Sequence, residues 1–415
     1  MIGTRSYSDF SRGIGLRALE KRIPISGTIE VSHRCPLDCK HCYNNLPMSD
    51  EARARELSYD EYCRILDELA DAGCMWLLFT GGEVFARRDF LDIYTYAKQK
   101  GFFITIFTNG TLVTQKVVDH LKKWPPFSIE ITLYGHSKET YEALTSIPGS
   151  FEKCIRGIHL LQENALPLKL KTVAVQSNEH EVESMQRFAR EQLGLEFKLD
   201  GMINPRTNGF KGPLLQRLDA EQLVAAEFAD TAQAQKWKDF SKSMLGPANP
   251  PEKEKDIYSC GGGLRAFAID PYGKLSICVL SQKEHFDLRE GSFKEGWESF
   301  LKAVRSKQQS RTTKCTHCQI KAVCGMCPAN GELEHDDPEE PVEFMCRVAH
   351  LRSLVVGLEV PSHGSCEYCS DGEHFQDILA AAGRIVRGES KKRLPLASGE
   401  STIASCGSGA CGSCA

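Results

Sequence analysis

Eighteen cysteines in 415 residues are the groups through which this chain can do chemistry, and twelve of them lie after residue 259. The first group is compact. Cys35, Cys39 and Cys42 stand at CxxxCxxC spacing in Cys35-Pro36-Leu37-Asp38-Cys39-Lys40-His41-Cys42. Thiolates favour iron–sulfur clusters or zinc. Three close ligands leave one iron of a cubane cluster free for a small molecule, which a four-cysteine structural site does not. A zinc site completed by His41 or by a distant residue is the alternative. The second group is spread along the chain. Cys260 is followed after 12 residues by Gly273 and after four more by Cys278, then come Cys315-x2-Cys318-x5-Cys324-x2-Cys327, and finally Cys346. A zinc ribbon accounts for Cys315 to Cys327 but not for Cys260, Cys278 and Cys346.

Eight cysteines fall outside these groups. Cys63, Cys74 and Cys154 sit within helical or strand patterns, where a free cysteine behaves as a small buried hydrophobe. Cys366-x2-Cys369 and Cys406-x4-Cys411-x2-Cys414 form a tail. Four readings of the tail stand open: a ligand supplied to an incomplete cluster, an additional metal site built from the CxxC pairs, a redox-active segment, or a Gly/Ser-rich stretch that holds no metal.

Composition narrows the setting. Hydrophobic residues make up 41% and charged residues 26%, an ordinary globular balance that excludes bulk disorder. The net charge of −4 gives no electrostatic reason to expect nucleic acid or a membrane surface as partner. No apolar run reaches the ~18 residues that span a bilayer. The first 21 residues carry Arg5, Arg12 and Arg17 without the apolar core of a signal peptide. A cytoplasmic location follows as the expectation, and in a reducing compartment cysteine clusters hold metal more often than they form disulfides.

The first half must position the cysteine loop. Apolar strands alternate with amphipathic helices: strands at Thr28–Val31, Met75–Phe79, Phe102–Phe107, Ile129–Leu133, Leu168–Val175 and Leu195–Leu199, with helices between them. Ser58-Tyr59-Asp60-Glu61 has capping-box form, Tyr62, Ile65, Leu66 and Leu69 share one helical face, and Gly73 ends that helix. Strict alternation with right-handed crossovers gives a parallel sheet covered by helices. Six units point to an α/β fold of partial (β/α)6-barrel form rather than a closed barrel of eight, with a doubly wound open sheet as the competing topology. Leu218–Ser243 reads as one helix, Asn249-Pro250-Pro251-Glu252-Lys253 as a linker, and Phe375–Val386 as a short helix. Between Cys260 and Cys346 periodicity weakens, so that region is expected to rely on metal more than on a core. The acidic run Glu334 to Glu340 reads as a solvated turn.

CxxxCxxC after the first strand of an α/β barrel resembles the radical S-adenosylmethionine (SAM) superfamily. The resemblance extends over about 170 residues. Gly81-Gly82-Glu83 looks like the family's GGE motif, and Thr108-Asn109-Gly110, Ile131-Thr132-Leu133-Tyr134-Gly135 and Gln176-Ser177-Asn178 close later strands at the same end. That end is where such barrels build active sites. The resemblance implies that Cys35, Cys39 and Cys42 hold a [4Fe-4S] cluster whose open iron chelates SAM. Reductive cleavage would then yield a 5′-deoxyadenosyl radical that abstracts hydrogen from substrate. It places His41 near the adenine, Gly81, Gly82 and Glu83 at the methionine amino group, and Asn109 and Thr132 at sugar or carboxylate.

The second cysteine group is similar to a SPASM domain, the auxiliary-cluster extension of peptide-modifying radical SAM enzymes. By family position, Cys315, Cys318, Cys324 and Cys346 would hold one auxiliary [4Fe-4S] cluster, and Cys260, Cys278 and Cys327 another with an open iron. The family usually has three residues where this chain has only Gly325-Met326, so the split between the clusters is less fixed than the presence of iron. The implied division is an N-terminal extension (1–24), the partial barrel (25–202), a helical bridge (203–258), the auxiliary-cluster domain (259–352) and a cysteine-containing tail (353–415). The implied activity is modification of a peptide or protein, cysteine-containing ones included, by thioether or carbon–carbon cross-linking, epimerisation or oxidation. A low-potential donor such as ferredoxin or flavodoxin would supply electrons. About 25 residues before the first strand are too few for a fused winged-helix leader-binding domain, so any leader recognition is expected to use a separate leader-binding protein or another surface. Cofactor biosynthesis on a tetrapyrrole or quinone precursor, and a non-catalytic iron–sulfur electron carrier, are the alternatives.

Overall fold

The computed structural model describes residues 7–244, 256–360, 362 and 365–390. Asn249 to Lys253 and the tail cysteines Cys406, Cys411 and Cys414 lie outside the described residues. No helix among those described is long and apolar enough to cross a membrane.

Nine strands form one sheet in the order β6-β5-β4-β3-β2-β1-β7-β8-β9. The first six are β1 (Ser26–Glu30), β2 (Trp76–Thr80), β3 (Phe103–Thr108), β4 (Ser128–Thr132), β5 (Leu168–Val173) and β6 (Phe197–Asp200), all parallel to their neighbours. Each lies within a few residues of its expected position. Alternation along the strands explains the architecture. Ile29, Phe79, Ile106, Ile129, Ile131 and Leu170 are fully buried in one apolar cluster. The intervening positions are Glu30, Thr80, Phe107, Glu130, Lys171 and Lys198. One face of the sheet therefore seeks helices and the other is polar, which fits a sheet curling around a lumen and not a doubly wound sheet with helices on both faces.

The helices before the bridge are α1 (Tyr7–Lys21), α2 (Tyr59–Asp71), α3 (Phe90–Gln99), α4 (Gln115–Lys123), α5 (Lys138–Thr145), α6 (Ser150–Glu163) and α7 (Val182–Arg187). α2 starts as expected: Ser58 Oγ accepts from Glu61 N at 3.2 Å, and Ser58 N donates to Glu61 Oε2 at 2.6 Å. Gly73, at φ +86°, closes the turn after it. α5 escaped the sequence reading because its eight residues carry too short an apolar pattern. The single helix expected over Leu218–Ser243 is two, α8 (Ala220–Phe228) and α9 (Thr231–Met244). Asp230 makes the break, its carboxylate accepting from Ala232 N at 2.9 Å and Gln233 N at 3.3 Å, which restarts the helix.

The cysteine-rich region is more strongly cored than its periodicity suggests. It contains β7 (Ala266–Ile269), β8 (Lys274–Ser276) and β9 (Phe286–Asp287). Then α10 (Phe293–Glu295) runs through a π turn, Gly296–Leu301, into α11 (Lys302–Arg305), and α12 (Pro328–His335), α13 (Glu343–Val355) and α14 (Phe375–Arg387) follow. Phe267, Phe293, Trp297, Leu301, Met345 and Val348 are buried, contrary to a region held by metal more than by a core. The signal was hidden because these residues come from turns and short pieces of different period. The acidic run is also not simply solvated: Glu334 forms an ion pair with Arg217 at 2.5 Å, with both side chains about nine-tenths buried.

β7 adds parallel to the other edge of β1, with Ser26 opposite Ala266 and Thr28 opposite Ala268. Close packing fixes this seam. A Cβ on Gly27 would come within 2.3 Å of the Phe267 ring, which itself packs at a tilt against Phe293, 4.8 Å between centroids. Gly27→Ala is expected to cost about 1–3 kcal/mol through overpacking, and Phe267→Ala about 3–5 kcal/mol through the lost ring. In chemical denaturation of the metal-loaded protein, the double variant should be no worse than Phe267→Ala alone. Simple additivity would mean the two residues do not share this seam.

Candidate functional site

The cysteine loop leaves β1 at Glu30 and is pinned by backbone hydrogen bonds. Cys35 N donates to Leu46 O at 2.9 Å, Asp38 N to Thr145 O at 3.0 Å and Lys40 N to Leu144 O at 3.1 Å, so the end of α5 supports the loop from below. The turn after β2 holds it from the side: Gly82 N donates to Ser32 O at 2.7 Å and Glu83 N to Arg34 O at 3.0 Å. Only glycine fits this approach. Gly81 has φ +133°, and a Cβ there would sit 2.2 Å from Ser32 O, while one on Gly82 would sit 2.3 Å from His33 O.

Cys35 and Cys39 are buried and Cys42 is half-buried, packed with Leu37, Tyr134 and Ile147. Leu37 N and Asn109 Nδ2 both point at Cys35 Sγ, each at 3.4 Å. Burial, with the Glu83 carboxylate nearby, pushes the Cys35 thiol up to about 12. Burial and the neighbouring Cys42 and Cys35 push Cys39 well above its usual range, and burial raises Cys42 as well. Three such thiols in one buried loop shed their protons only when a strong positive centre compensates them, as an iron or zinc centre does.

The residues expected around SAM converge on this loop. His41 is buried, its ring 5.0 Å from that of Tyr134, and burial lowers its pKa to about 4, which keeps it neutral. Its Nδ1 is buried without a hydrogen-bond partner among the described residues, leaving one polar atom for a bound group to satisfy. Glu83 is also buried, but its carboxylate serves the chain: it accepts from Thr108 Oγ1 at 2.7 Å, Asn109 N at 2.8 Å and Phe85 N at 3.1 Å, tying the end of β2 to that of β3. Asn109 Oδ1 accepts from Thr111 N at 2.9 Å, so its amide is held with Nδ2 toward Cys35. Thr132 is half-buried at the end of β4, in register with Lys171.

Three groups fall outside the expected site: Glu30 carries no motif, and Arg206 and Lys171, which could face a substrate cavity, are lone basic residues of a kind more often structural. Glu30, fully buried, accepts from Tyr43 Oη at 3.0 Å and Asn44 Nδ2 at 2.5 Å, lies 3.3 Å from His33 Nε2, and accepts from Gln282 Nε2 at 3.4 Å. Burial works against a proton on His33, but the hydrogen bond with Glu30 and the charges of Glu30, Asp270 and Glu56 together outweigh it, so its pKa is raised. In the bridge, Thr207 N donates to Tyr43 O at 3.0 Å and Arg206 Nη1 to Asn45 O at 3.4 Å, closing over the loop. On the polar face of the sheet, Lys171 Nζ lies 3.7 Å from Glu130 and 2.8 Å from the centre of the Phe107 ring, while Lys198 reaches Glu130 at 2.7 Å. Burial, opposed by Glu130, brings Lys171 down to about 8. Strand alternation carried this signal, but single polar residues in strands are common.

The auxiliary cysteines fall into two neighbourhoods. Burial first, and then the neighbouring Cys327 and Cys260, raise Cys278 to about 11. Burial, and then Cys318 and Cys315, raise Cys324 to about 12, and Cys346 is raised by burial and then by Cys324, Cys315 and Cys366. Cys324 and Cys327 thus face different partners despite the two-residue spacer, and Gly325 at φ +77° makes the turn between them. Backbone donors reach these sulfurs too: Gly262 N to Cys260 at 3.4 Å and Ser281 N to Cys278 at 3.3 Å. Of the remaining cysteines, Cys74 and Cys154 are buried in the core as expected and Cys63 is half-buried.

Comparison with known proteins places this geometry. Residues 29–189 match the family model of the Radical SAM superfamily. An AdoMet-dependent heme synthase of Methanosarcina barkeri is 25% identical over 331 residues, covering 75% of this chain and 94% of that protein. The antilisterial bacteriocin subtilosin biosynthesis protein AlbA of Bacillus subtilis is 27% identical over 327 residues, covering 74% of this chain and 68% of that one. The crystal structure of Streptococcus suis SuiB bound to precursor peptide SuiA shares the fold, with a TM-score of 0.61 at 16% identity over 81% of this chain and 80% of that chain.

The lowered pKa of Lys171 can be checked directly. In protein reductively methylated with 13C, one dimethyl-lysine resonance should titrate with a midpoint of about 8 and vanish in Lys171→Met. A midpoint in the ordinary lysine range for every resonance would mean that Lys171 is solvated.

Proposed function

The chain belongs to the radical SAM superfamily, and on that premise we propose that it acts on a peptide or protein through a SAM-bound [4Fe-4S] cluster and two auxiliary clusters. The carrying observation is the buried thiol trio beside the Gly81-Gly82 turn, with the unpaired His41 Nδ1 close by. In this reading Cys35, Cys39 and Cys42 hold the cluster, and the trio leaves one iron for SAM. Bound there, cluster and SAM supply a carbon radical that takes a hydrogen atom from substrate. The protein's own residues position and protect. His41, kept neutral, offers Nδ1 to the adenine. Asn109 steadies the Cys35 sulfur and, with Thr132, lines the way to the sugar and carboxylate. Gly81 and Gly82 bring backbone against the loop at the methionine end, and Glu83 fixes the ends of two strands so that this spacing holds. Glu130, Lys171 and Lys198 line the polar lumen where substrate would lie, with Lys171 poised near neutrality to give or take a proton.

Cys315, Cys318, Cys324 and Cys346 form a complete auxiliary set, and Cys260, Cys278 and Cys327 a set of three with room for a substrate thiolate. The division into extension, barrel, bridge, auxiliary domain and tail belongs to the same reading, as do a low-potential ferredoxin or flavodoxin as donor, a separate leader-binding partner and a cytoplasmic location. The names of AlbA and of the SuiB complex with its precursor peptide support a peptide substrate. The heme synthase, matched over 94% of its length, supports a second reading in which the substrate is a tetrapyrrole precursor.

Anaerobically reconstituted protein given dithionite and SAM should form 5′-deoxyadenosine. Cys35→Ala/Cys39→Ala/Cys42→Ala should form none while retaining the iron of the auxiliary clusters. Loss of all iron in that variant would refute the separate auxiliary sets. Mass spectrometry separates the substrates: a cysteine-containing precursor peptide should lose hydrogen under turnover, whereas conversion of a tetrapyrrole with the peptide untouched would move the reading to cofactor biosynthesis. His41→Phe should weaken SAM binding about fivefold, the worth of one buried hydrogen bond of ~1 kcal/mol, as read by equilibrium dialysis on the cluster-loaded protein.

A further inference from the structure

His350, Cys366 and Cys369 lie beyond the SAM loop and outside both auxiliary sets. All three are buried, and their ligand atoms lie within 4.8 Å of one another. His350 Nε2 is 3.4 Å from Cys369 Sγ and 3.6 Å from Cys366 Sγ. The other ring nitrogen, Nδ1, is 2.7 Å from the backbone carbonyl of Cys346. A carbonyl only accepts, so Nδ1 carries the proton and Nε2 presents a lone pair to the two sulfurs. This is how a metal-binding histidine is oriented: the partner of one nitrogen fixes the tautomer of the other.

The distances are those of a tetrahedral edge. With Zn–S ~2.3 Å and Zn–N ~2.0 Å, sulfur and nitrogen on one zinc stand about 3.5 Å apart. Hydrogen bonding alone explains the arrangement less well, because one lone pair accepts one well-aligned S–H and here two sulfurs stand at the same range. A cubane cluster explains it less well too, since its ligands bind different irons and are held further apart. The sequence between the sulfurs suits a single ion. Cys366-Glu367-Tyr368-Cys369 is a CxxC turn in which Cys369 N donates to Cys366 O at 3.4 Å and Gly372 N to Cys369 O at 2.7 Å. The turn is so tight that a Cβ on Gly372 would lie 2.2 Å from Glu367 O. Lys314 Nζ holds Glu367 at 2.7 Å, anchoring the turn to the residue preceding Cys315.

We propose that His350, Cys366 and Cys369 bind one zinc ion, which fastens the segment after α13 back onto that helix. Cys346 and His350 lie one turn apart on α13, so a single helix would present a ligand to an auxiliary cluster and another to the zinc. The zinc would keep that helix in place whether or not the cluster is loaded.

The test uses full-length protein purified anaerobically with its iron clusters filled, so that vacant cluster thiolates do not capture zinc. After exposure to Zn2+ and removal of excess by chelator, one zinc per chain should remain. X-ray absorption at the zinc edge should show two sulfurs and at least one imidazole nitrogen. Cys366→Ser/Cys369→Ser should lose the zinc and keep the wild-type iron content, and His350→Cys should keep zinc with an added sulfur. The wild-type absorption spectrum decides the question even if the double variant does not fold. No retained zinc in the wild type, a sulfur-only zinc environment, or zinc retained by the double variant would each overturn the proposal. So would a double variant that folds but loses iron, since the cysteines would then serve a cluster.

Discussion

The pairing of β1 on both edges holds the molecule together. Five residues, Ser26–Glu30, bond to β2 on one side and to β7 on the other, so the barrel and the cysteine-rich region share a strand instead of touching across a surface. The same strand ends in Glu30, whose buried carboxylate gathers Tyr43 and Asn44 from the cysteine loop and Gln282 from the region after Cys278. A buried carboxylate is tolerated only when its lone pairs are filled. Filling them fixes the loop and the auxiliary region relative to one another.

Two kinds of buried charge are kept apart around that frame. In the loop, and at Cys278, Cys315, Cys324, Cys327 and Cys346, burial makes the thiol protons hard to remove. On the polar face of the sheet, Glu130 lies between two lysines and one of these is desolvated. The first arrangement suits a metal cation and excludes water. The second holds a desolvated lysine beside a carboxylate on the face turned away from the helices. The second follows from the period of two along the strands, which turns every second side chain away from the helices, and the first from the loops and turns that carry the cysteines.

Much of this was readable in the residues. Alternation fixed the six barrel strands, Ser58 with Glu61 marked the start of α2, and the CxxxCxxC spacing marked the loop. Other features were not, for physical reasons. α5 and β7 to β9 are too short for a periodic pattern, and their stability comes from partners distant in sequence, such as Gly27 for Phe267. The turn that Gly325 makes between Cys324 and Cys327 is conformational, and the two-residue spacing alone left both thiolates able to reach one metal. Glu30 and Lys171 are ordinary residue types that matter only because of what the sheet brings beside them. His350 shows no motif with Cys366 and Cys369, since 16 residues and a helix end separate it from the first of them.

The seam between Gly27 and Phe267 bears on how such a chain can be divided. Composition changes sharply near residue 259, and the barrel expected from the sequence ends at residue 202. Cut there, β1 would lose the partner on its outer edge and present a row of open amide and carbonyl groups beside a notch shaped for an aromatic ring. An exposed strand edge of that kind recruits other strands. The boundary visible in composition is therefore crossed by the sheet, and the strand that leads into the cysteine loop has its outer edge covered from beyond that boundary.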